Sequence, residues 1–387
     1  MDATRGAQLQ SQSIWASVVS FVGRILLAVG IPLIAFLVLY VGFLFLRDTD
    51  APRSIIALVA IVWGVGGVAV LYWVFNGLVE RLPDAWRSRL LPFVFVGPAI
   101  AILAWYLTIP TIRTFWLSLF GRDGPESGLG FVQLLSSESF VGLQNYLAVF
   151  TEELMRQSFR NNLMWIVFGS TFSVVLGLLV AVLADRSGYE KVAKSLVFLP
   201  LAISFVGAGI IWNFIYEFRP AGQAQIGLLN YIVSGLGGTP QAWPQWVDAA
   251  PWNNLFLIVI VVWLQAGFAM VLFSAALKGI PDELLEAGRI DGANEFQVFF
   301  RIMIPYISGT IITVWTTIVI FTLKIFDVIW VMTGGQFGTH VIATQFYRQS
   351  FTNRNSGFGS AIAIVLLLAV VPVMIYNLRR LRQSEAF

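Results

Sequence analysis

Long apolar stretches, separated by short polar segments, dominate the sequence of this 387-residue chain. A helix of about 20 mainly apolar residues can cross the hydrocarbon layer of a membrane, where backbone groups find partners only within the helix itself. The pattern therefore predicts an all-α, polytopic membrane protein with about eight transmembrane helices. The predicted spans are residues 24–46, 54–78, 92–119, 161–184, 195–218, 253–277, 306–331 and 357–378.

Composition supports this class and narrows the possible chemistry. Hydrophobic residues make up 58% of the chain and charged residues only 12%, which excludes an ordinary soluble domain. The chain has no cysteine, so disulfides and thiolate metal sites are excluded. It also has no G-x-x-x-x-G-K-S/T phosphate loop, and any ATP used must therefore bind to another subunit. Anchoring at the membrane surface explains the formal net charge of +3, so no nucleic-acid partner is expected.

Positive charges indicate which side of the membrane each segment faces. Lys and Arg are concentrated in the cytoplasmic segments of membrane proteins. Three arginines, Arg379, Arg380 and Arg382, directly follow the last predicted span. The distribution predicts that both termini are cytoplasmic, which also places residues 279–305 in the cytoplasm.

The spacing of spans and loops suggests three parts. Residues 1–120 are predicted to form an accessory part with three spans, and residues 121–160 an extracytoplasmic loop. Residues 161–387 are predicted to form the working core, with five spans and the polar segment 279–305.

That polar segment carries the signals of two short helices. Pro281 suits the first position of a helix, and Gly292 is placed to end that helix. Asn294 and Gln297 have the spacing of a capping box, which predicts the start of a second helix. The pattern predicts a rigid helical hairpin on the cytoplasmic side.

Apolar residues recur along the second of these helices. Phe296, Phe299, Phe300 and Met303 have i, i+3, i+4, i+7 spacing, which predicts an apolar face that docks against the helical bundle. On helix signals alone, an interfacial linker without special purpose explains the segment equally well.

Sequence detail favours a more specific function. Glu286-Ala287-Gly288, followed by Asp291-Gly292-Ala293 and Pro305, resembles the EAA signature of ATP-binding-cassette importer permeases, with Gly288 in place of an equally small alanine. Further phrases resemble the carbohydrate branch of that family, whose members are called MalF-like. These are Phe140 to Tyr146, Leu199-Pro200, Trp263-Leu264, Lys324 to Asp327 and Thr333-Gly334-Gly335.

The resemblance implies a type I importer permease with a MetI-like core, in the bacterial inner membrane. Its implied function is the permease subunit of an ATP-driven carbohydrate importer, for disaccharides or oligosaccharides such as α-glucosides or trehalose. The implied partners are a dimer of ATPase subunits, a second, MalG-like permease subunit, a periplasmic or lipid-anchored sugar-binding protein, the sugar and membrane lipid. The chain is then not an enzyme and binds no cofactor, because the partner ATPase uses the ATP and Mg.

In this family the EAA helix inserts into a cleft of the ATPase. A helix in this position needs small residues and a carboxylate. The resemblance assigns this role to Glu286, Ala287, Gly288, Asp291, Gly292 and Ala293. Asp291 is also placed to cap its own helix.

Sugar recognition combines aromatic rings with amide and hydroxyl groups. The candidate sugar-binding residues are Trp212, Asn213, Tyr216, Leu264, Gln265, Phe268, Phe321, Thr322, Lys324 and Asp327. On a continuous helix, Lys324 and Asp327 would share one face. They then either neutralise each other and fix helix packing, or contact the sugar.

Two other classes of function remain open on the sequence. A secondary transporter or channel for a polar solute would show inverted repeats and ion-coordinating carboxylates. A membrane enzyme would need converging acid, base or metal ligands, whereas the only histidine, His340, falls in a predicted outer loop.

Overall fold

The computed structural model describes residues 37, 40–49, 51–80, 84–128, 130–220 and 222–384. Within these ranges the chain is helical and has no strand, although an isolated antiparallel bridge joins Phe120 to Phe140. The predicted all-α class is confirmed. The chain divides into two compact units, one ending at Pro110 and the other beginning at Thr111. The domain boundaries given above stay predictions.

The first unit contains a helical segment at residues 40–48, helix α1 (Arg53–Glu80) and helix α2 (Asp84–Leu103), which a π-helical turn at Ala104–Thr108 follows. Tyr72 of α1 meets Phe95 of α2 edge to face, with ring centroids 5.2 Å apart. Helix α1 falls on predicted span 54–78. Of predicted span 24–46, only residues 37 and 40–46 lie within the described residues.

The remaining α-helices are α3 (Ile109–Ser118), α4 (Phe131–Leu135), α5 (Gln144–Thr151), α6 (Glu153–Met164), α7 (Thr171–Asp185), α8 (Glu190–Phe198), α9 (Phe205–Tyr216), α10 (Leu228–Gly235), α11 (Asn254–Lys278), α12 (Asp282–Ile290), α13 (Glu295–Val298), α14 (Ile304–Tyr306), α15 (Ser308–Leu323), α16 (Asp327–Thr333), α17 (Ile342–Tyr347) and α18 (Ser356–Ser384). Further π-helical turns lie at Trp165–Ser170, Phe299–Met303 and Arg348–Thr352.

Helix α11 is the centre of the second unit, and it is buried along most of its length. It approaches α7 closely at Gly177. A Cβ atom added to Gly177 would lie 2.5 Å from the Cβ of Ala269 and 2.9 Å from both the carbonyl oxygen of Ala266 and the backbone nitrogen of Met270. Small residues of this kind let membrane helices pack backbone to backbone.

Four described helical segments are long and apolar enough to cross a membrane: Arg53–Glu80, Glu153–Asp185, Asn254–Lys278 and Ser356–Arg379. Two bent pairs, Glu190–Ala202 with Phe205–Tyr216 and Glu295–Tyr306 with Ser308–Leu323, raise the number to six if each pair is one span. The predicted span 92–119 falls on a helical run from Asp84 to Ser118. The total of eight stays a prediction.

The prediction of one continuous helix over residues 195–218 is wrong. The two halves meet at an angle of 105°. A 3-10 turn containing Pro200 ends the first half, and the extended backbone of Ile203 (φ −88°, ψ 135°) prevents the helix from continuing. Ser204 then begins α9, because its hydroxyl accepts a hydrogen bond from the backbone N–H of Gly207 at 3.0 Å.

The prediction of one continuous helix over residues 306–331 is also wrong. Helix α15 ends at Leu323, and α16 begins only at Asp327. The side-chain amide of Asn162 on α6 donates to the carbonyl of Leu323 at 3.2 Å, which satisfies one of the acceptors that a helix end leaves free. A second bend, of 68°, separates α14 from α15 near Ile307.

The phrase from Phe140 to Tyr146 ties the start of the second unit together. The amide of Asn145 donates to the carbonyls of Ser118 and Phe120, at 2.8 and 2.7 Å. The hydroxyls of Tyr146 and Ser118 lie 2.6 Å apart. The end of α3 is therefore fixed to the start of α5.

Candidate functional site

The segment between α11 and α15 is a helical hairpin with a well-defined turn. Helix α12 ends in a Schellman motif, in which Ala293 N–H donates to the carbonyl of Gly288 and Gly292 N–H to that of Arg289, both at 3.0 Å. Gly292 has φ +85°, a conformation that favours glycine. The predicted end of the first helix is confirmed.

A capping box begins the second helix of the hairpin. Asn294 Oδ1 accepts from the N–H of Gln297, and Gln297 Oε1 accepts from the N–H of Asn294, both at 2.9 Å. This confirms the predicted capping box. The sequence predicts Pro281 at the first position of the first helix of the hairpin. In the structure Pro281 is the N-cap residue, and α12 begins one residue later, at Asp282. The turn leaves little freedom between the two helices of the hairpin.

The predicted apolar face of the second helix is wrong in its members. Phe296 and Phe300 are 77% and 60% exposed, and their rings stack on each other with centroids 6.3 Å apart. Val298 is buried, and Met303 packs against the core beside α7 and α11. The π-helical turn at Phe299–Met303 changes the register, so residues at 3.6-residue spacing do not stay on one side.

Of the six residues predicted to couple to the ATPase, Gly288 is the one that is buried. A Cβ atom there would lie 2.4 Å from Cδ1 of Ile302, so the small residue lets α12 approach the π-helical turn. Glu286, Ala287, Asp291 and Gly292 are exposed, and Ala293 is half-buried. The hairpin thus exposes a carboxylate and small residues on its outer side, while Gly288 packs against the π-helical turn on its inner side.

Glu295 links the hairpin to the end of α7, a feature that the sequence analysis missed. Its carboxylate accepts from Arg289 Nε at 2.9 Å and from Arg186 Nη2 at 3.0 Å. The pKa of the Arg289 guanidinium is raised, first by its hydrogen bond to Glu295. Arg186 directly follows α7, so these ion pairs join α12, α13 and α7.

A second polar cluster, also missed, joins the ends of α7, α8 and α11. The Ser274 hydroxyl donates to the Asp185 carboxylate at 2.8 Å, and the Lys194 ammonium pairs with Asp185 and, at 2.6 Å, with Glu190. Lys278 completes the cluster by pairing with Glu190. The carboxylates are half-buried and each has more than one donor, as partly buried charges require.

Six of the ten candidate sugar-binding residues line two separate clefts. Gln265, Phe268, Phe321 and Lys324 line a cleft of about 340 Å³, called here the central cleft because it lies midway along α11. Its mixture of an amide, a cation and two aromatic rings can bind a polar ligand that has an apolar face.

The other candidates lie elsewhere. Asn213 and Tyr216 line a second cleft of about 370 Å³ at the end of α9, called here the terminal cleft. Leu264 and Thr322 are buried in packing, and Thr322 lies 3.3 Å from the Ser170 hydroxyl. Trp212 packs against the core, and its indole nitrogen has no hydrogen-bond partner within the described part of the chain.

The expectation that Lys324 and Asp327 share a helix face is wrong. Lys324 terminates α15, and Asp327 is the first residue of α16 after a break at Ile325 and Phe326. In the described structure the two side chains form no ion pair. Both are exposed, which leaves Lys324 free to face the central cleft.

His340 is buried and holds a defined neutral tautomer. Its Nε2 lies 3.2 Å from Arg348 Nη1, a group that can only donate, and its Nδ1 lies 3.2 Å from the Thr344 hydroxyl. Burial, and then the charge of Arg348, lower the pKa of His340 from 6.5 to about 4. The chain thus needs an unprotonated imidazole at this position.

We expect the stability of the protein to fall in acid because of His340. The folded state keeps the imidazole neutral down to about pH 4, whereas the unfolded chain takes up a proton near pH 6.5. Stability from the neutral imidazole is therefore complete above about pH 6.5 and is lost between about pH 6.5 and pH 4, to an extent on the order of a few kcal/mol. Thermal unfolding of the purified chain at a series of pH values measures the loss.

The control for this measurement is His340→Gln, which keeps an acceptor and a donor but does not titrate. Its unfolding temperature is expected to vary less than that of the parent below about pH 6.5. Parallel pH profiles of the two proteins would refute the assignment.

No group of three or more acidic, histidine or cysteine side chains that could hold a metal ion occurs in the part of the chain that the structure describes. The site is therefore built from helix ends, ion pairs and two clefts.

Comparison with known proteins finds relatives along most of the chain. Residues 155–382 match the family described as the binding-protein-dependent transport system inner membrane component. The chain is 51% identical over 292 residues to the osmoprotective compounds uptake permease protein GgtC of Synechocystis sp., which covers 76% of this chain and 99% of that protein. It is 46% identical over 316 residues to the alpha-glucoside transport system permease protein AglF of Rhizobium meliloti, covering 80% and 89%.

The fold is similar to that of a solved structure, a bacterial alginate ABC transporter in complex with an alginate pentasaccharide-bound periplasmic protein. The TM-score is 0.62 at 21% identity, and the match covers 77% of this chain and 96% of that one. At this identity the similarity concerns the arrangement of the helices.

Proposed function

Because this chain belongs to the family of inner membrane components of binding-protein-dependent transport systems, we propose that it forms part of the translocation path of an ATP-driven importer for α-glucosides. The chain is a multi-pass permease component with a MetI-like fold and is not an enzyme. ATP hydrolysis belongs to a separate subunit. Membership of this family decides against the secondary transporter, the channel and the membrane enzyme.

The substrate class rests on relatives and on the central cleft. The names of two relatives specify osmoprotective compounds and alpha-glucosides. The rings of Phe268 and Phe321 suit the apolar face of a sugar, while Gln265 and Lys324 offer hydrogen bonds to its hydroxyls. Trp212, Leu264, Thr322 and Asp327 then support the walls of the path instead of touching the sugar.

The observation that carries the proposal is the rigid hairpin of α12 and α13. Its Schellman motif and capping box hold the two helices at a fixed angle, and Gly288 seats it on the π-helical turn. An ATPase that grips the exposed Glu286 side of the hairpin can therefore move it as one piece. Glu295 passes that movement to α7 through Arg186.

The full assembly in this proposal contains several partners. They are a dimer of ATPase subunits using ATP and Mg, a second, MalG-like permease, and a periplasmic or lipid-anchored sugar-binding protein. The hairpin and both termini face the cytoplasm. Residues 1–120 form an accessory part, and the core begins after the loop 121–160.

Reconstitution tests the proposal. The chain is purified with its ATPase, its second permease subunit and its binding protein, and placed in liposomes that contain ATP on the ATPase side. We expect ATP-dependent accumulation of radiolabelled trehalose or maltose. Gln265→Leu should lower it about tenfold through the loss of one hydrogen-bonding partner, whereas the exposed Gln144→Leu should not.

Two outcomes would contradict the proposal. Accumulation driven by an ion gradient in the absence of ATP would indicate a secondary transporter. If no α-glucoside accumulated in liposomes with an active ATPase, the proposed substrate class would be refuted.

A further inference from the structure

The terminal cleft is a cavity with fixed walls. It lies where α9 ends, beside the segment before α11, and its lining includes Asn213, Tyr216, Glu217, Gln245 and Met332. Its volume of about 370 Å³ is in the range of sites that bind small molecules. The central cleft is lined by other residues, so the two are distinct cavities.

Asn230 fixes one wall of this cleft. Its side-chain amide donates to the carbonyls of Glu217 and Gln241, at 2.9 and 3.0 Å. Its carbonyl oxygen accepts from Gln241 N–H at 3.0 Å and from Trp243 Nε1 at 2.8 Å. All the hydrogen-bonding capacity of this buried side chain is used to hold the end of α9 against the opposite segment.

Two further residues, Gly227 and Asn253, help to fix the frame of the cleft. Gly227 lies so close to Glu217 that an added Cβ atom would be 2.2 Å from the Glu217 carbonyl oxygen. Asn253 donates to the carbonyls of Pro244 and Phe337, at 3.0 and 2.8 Å. The backbone around the cleft is thus held by Asn230, Gly227 and Asn253, none of which lines the cleft.

Tyr216 donates its hydroxyl to the carbonyl of Phe256 at 2.9 Å, but the other polar side chains that line the cleft are uncommitted or nearly so. The side-chain amides of Asn213 and Gln245 have no hydrogen-bond partner in the described structure, and both residues are exposed. The Glu217 carboxylate has only a long ion pair with Arg219, at 3.8 Å. A cavity with a fixed frame and free polar groups is ready to bind a ligand.

The chemistry of the lining selects a neutral, hydroxyl-rich ligand. Two amides and one carboxylate can donate to and accept from neighbouring hydroxyl groups. The partly exposed ring of Phe218 and the exposed ring of Phe214 offer apolar faces on which a sugar ring can lie. Arg219 offsets the charge of Glu217, so the cleft does not favour an ion of either sign.

We propose that the terminal cleft is a second glycoside-binding subsite, which holds one sugar ring at a distance from the central cleft. This inference rests on the proposed function, since it takes the same class of ligand. Along α9, Phe205 stacks on Phe321 of the central cleft with centroids 4.7 Å apart. Asn213 lies eight residues further on, about 12 Å along the helix axis. One face of α9 therefore connects the two clefts.

Site-directed labelling tests the proposal, because the chain has no native cysteine. Gln245→Cys is introduced into the complete transporter, reconstituted without ATP, and its rate of reaction with a maleimide is measured with and without maltose or trehalose. Asp248→Cys, exposed but outside the cleft, is the matched control. We expect the sugar to slow labelling at position 245 several-fold and to leave position 248 unchanged.

A second variant tests the chemistry of the subsite. Glu217→Gln removes a charged acceptor, and we expect the sugar concentration that gives half-protection at position 245 to rise about tenfold. Gel filtration of each variant confirms that it folds.

The outcomes separate this inference from the proposed function. Equal labelling at position 245 with and without sugar, in a transporter that accumulates the sugar with ATP, would overturn the subsite and leave the function intact. Complete resistance of position 245 to maleimide without sugar would show that a protein partner covers the cleft, which also overturns the subsite. Protection at position 245 without any ATP-driven accumulation would support the subsite and count against the function.

Discussion

Uptake is expected to be lost when Gly288 is replaced by leucine. The added side chain must displace Ile302, whose Cδ1 lies 2.4 Å from the position of a Cβ atom at residue 288. Overfilling of this kind typically costs about 1–3 kcal/mol, here spent on separating α12 from the π-helical turn. Movement of the hairpin then no longer reaches the bundle. ATP-driven sugar accumulation in liposomes should fall at least about tenfold.

Gly288→Ala is the matched control. The contacted atom is the flexible end of the Ile302 side chain, so a single methyl group can be accommodated by a change of rotamer. Gly288→Ala should therefore accumulate sugar nearly as well as the parent. If Gly288→Leu also accumulated sugar nearly as well as the parent, with normal ATP hydrolysis, the contact between residue 288 and Ile302 would not be needed to transmit movement.

A larger effect on folding is expected at Gly177. A Cβ atom there would lie 2.9 Å from the carbonyl oxygen of Ala266 and from the backbone nitrogen of Met270, and neither atom can rotate away. Gly177→Val must therefore push α7 from α11, at a cost of about 3 kcal/mol or more. We expect a marked loss of folded protein in gel filtration and a lower unfolding temperature of the remainder.

Gly66→Val provides the control for this experiment. Gly66 also lies within a long apolar helix, α1, but an added Cβ atom would have no neighbour within 4 Å. The two variants therefore introduce the same β-branched residue into a helix and differ in what it meets. Equal unfolding temperatures of the two variants would show that α7 and α11 can move apart at Gly177 with little loss of stability.

The hairpin was predictable from the sequence because its signals are local. Gly292, Asn294 and Gln297 act within a few residues of one another, through hydrogen bonds that their own spacing dictates. The same argument holds for the all-α class, which follows from the length of the apolar stretches. Within the hairpin, local rules failed at the π-helical turn, which places Met303 against the core while Phe296 and Phe300 stay exposed.

The broken helices were not predictable in the same way. A bend within an apolar run leaves backbone groups at a helix end without partners. When the side chain that bonds to them is far away in the sequence, the run itself gives no sign of the bend. Asn162 fills this role for Leu323, 161 residues further along the chain. At the other break, Pro200 is a local sign, because proline interrupts the hydrogen bonds of a helix interior.

The candidate site was predictable in its residue types but not in its grouping. Gln265 and Asn213 are both candidate sugar-binding residues, and the structure places them in two different clefts. The ion pairs of Glu295 join residues up to 109 positions apart, and no spacing rule links such partners. The coupling and sugar-binding roles themselves stay predictions.

The length of α11 sets the scale of any movement that it transmits. The helix has 25 residues, and Gln265 lies about 20 Å from its Lys278 end at 1.5 Å per residue. A tilt of about 10° about that end would displace Gln265 sideways by about 3–4 Å, roughly the length of a hydrogen bond. A small rotation at the Lys278 end is thus enough to move the Gln265 side chain out of hydrogen-bonding reach of a ligand in the central cleft.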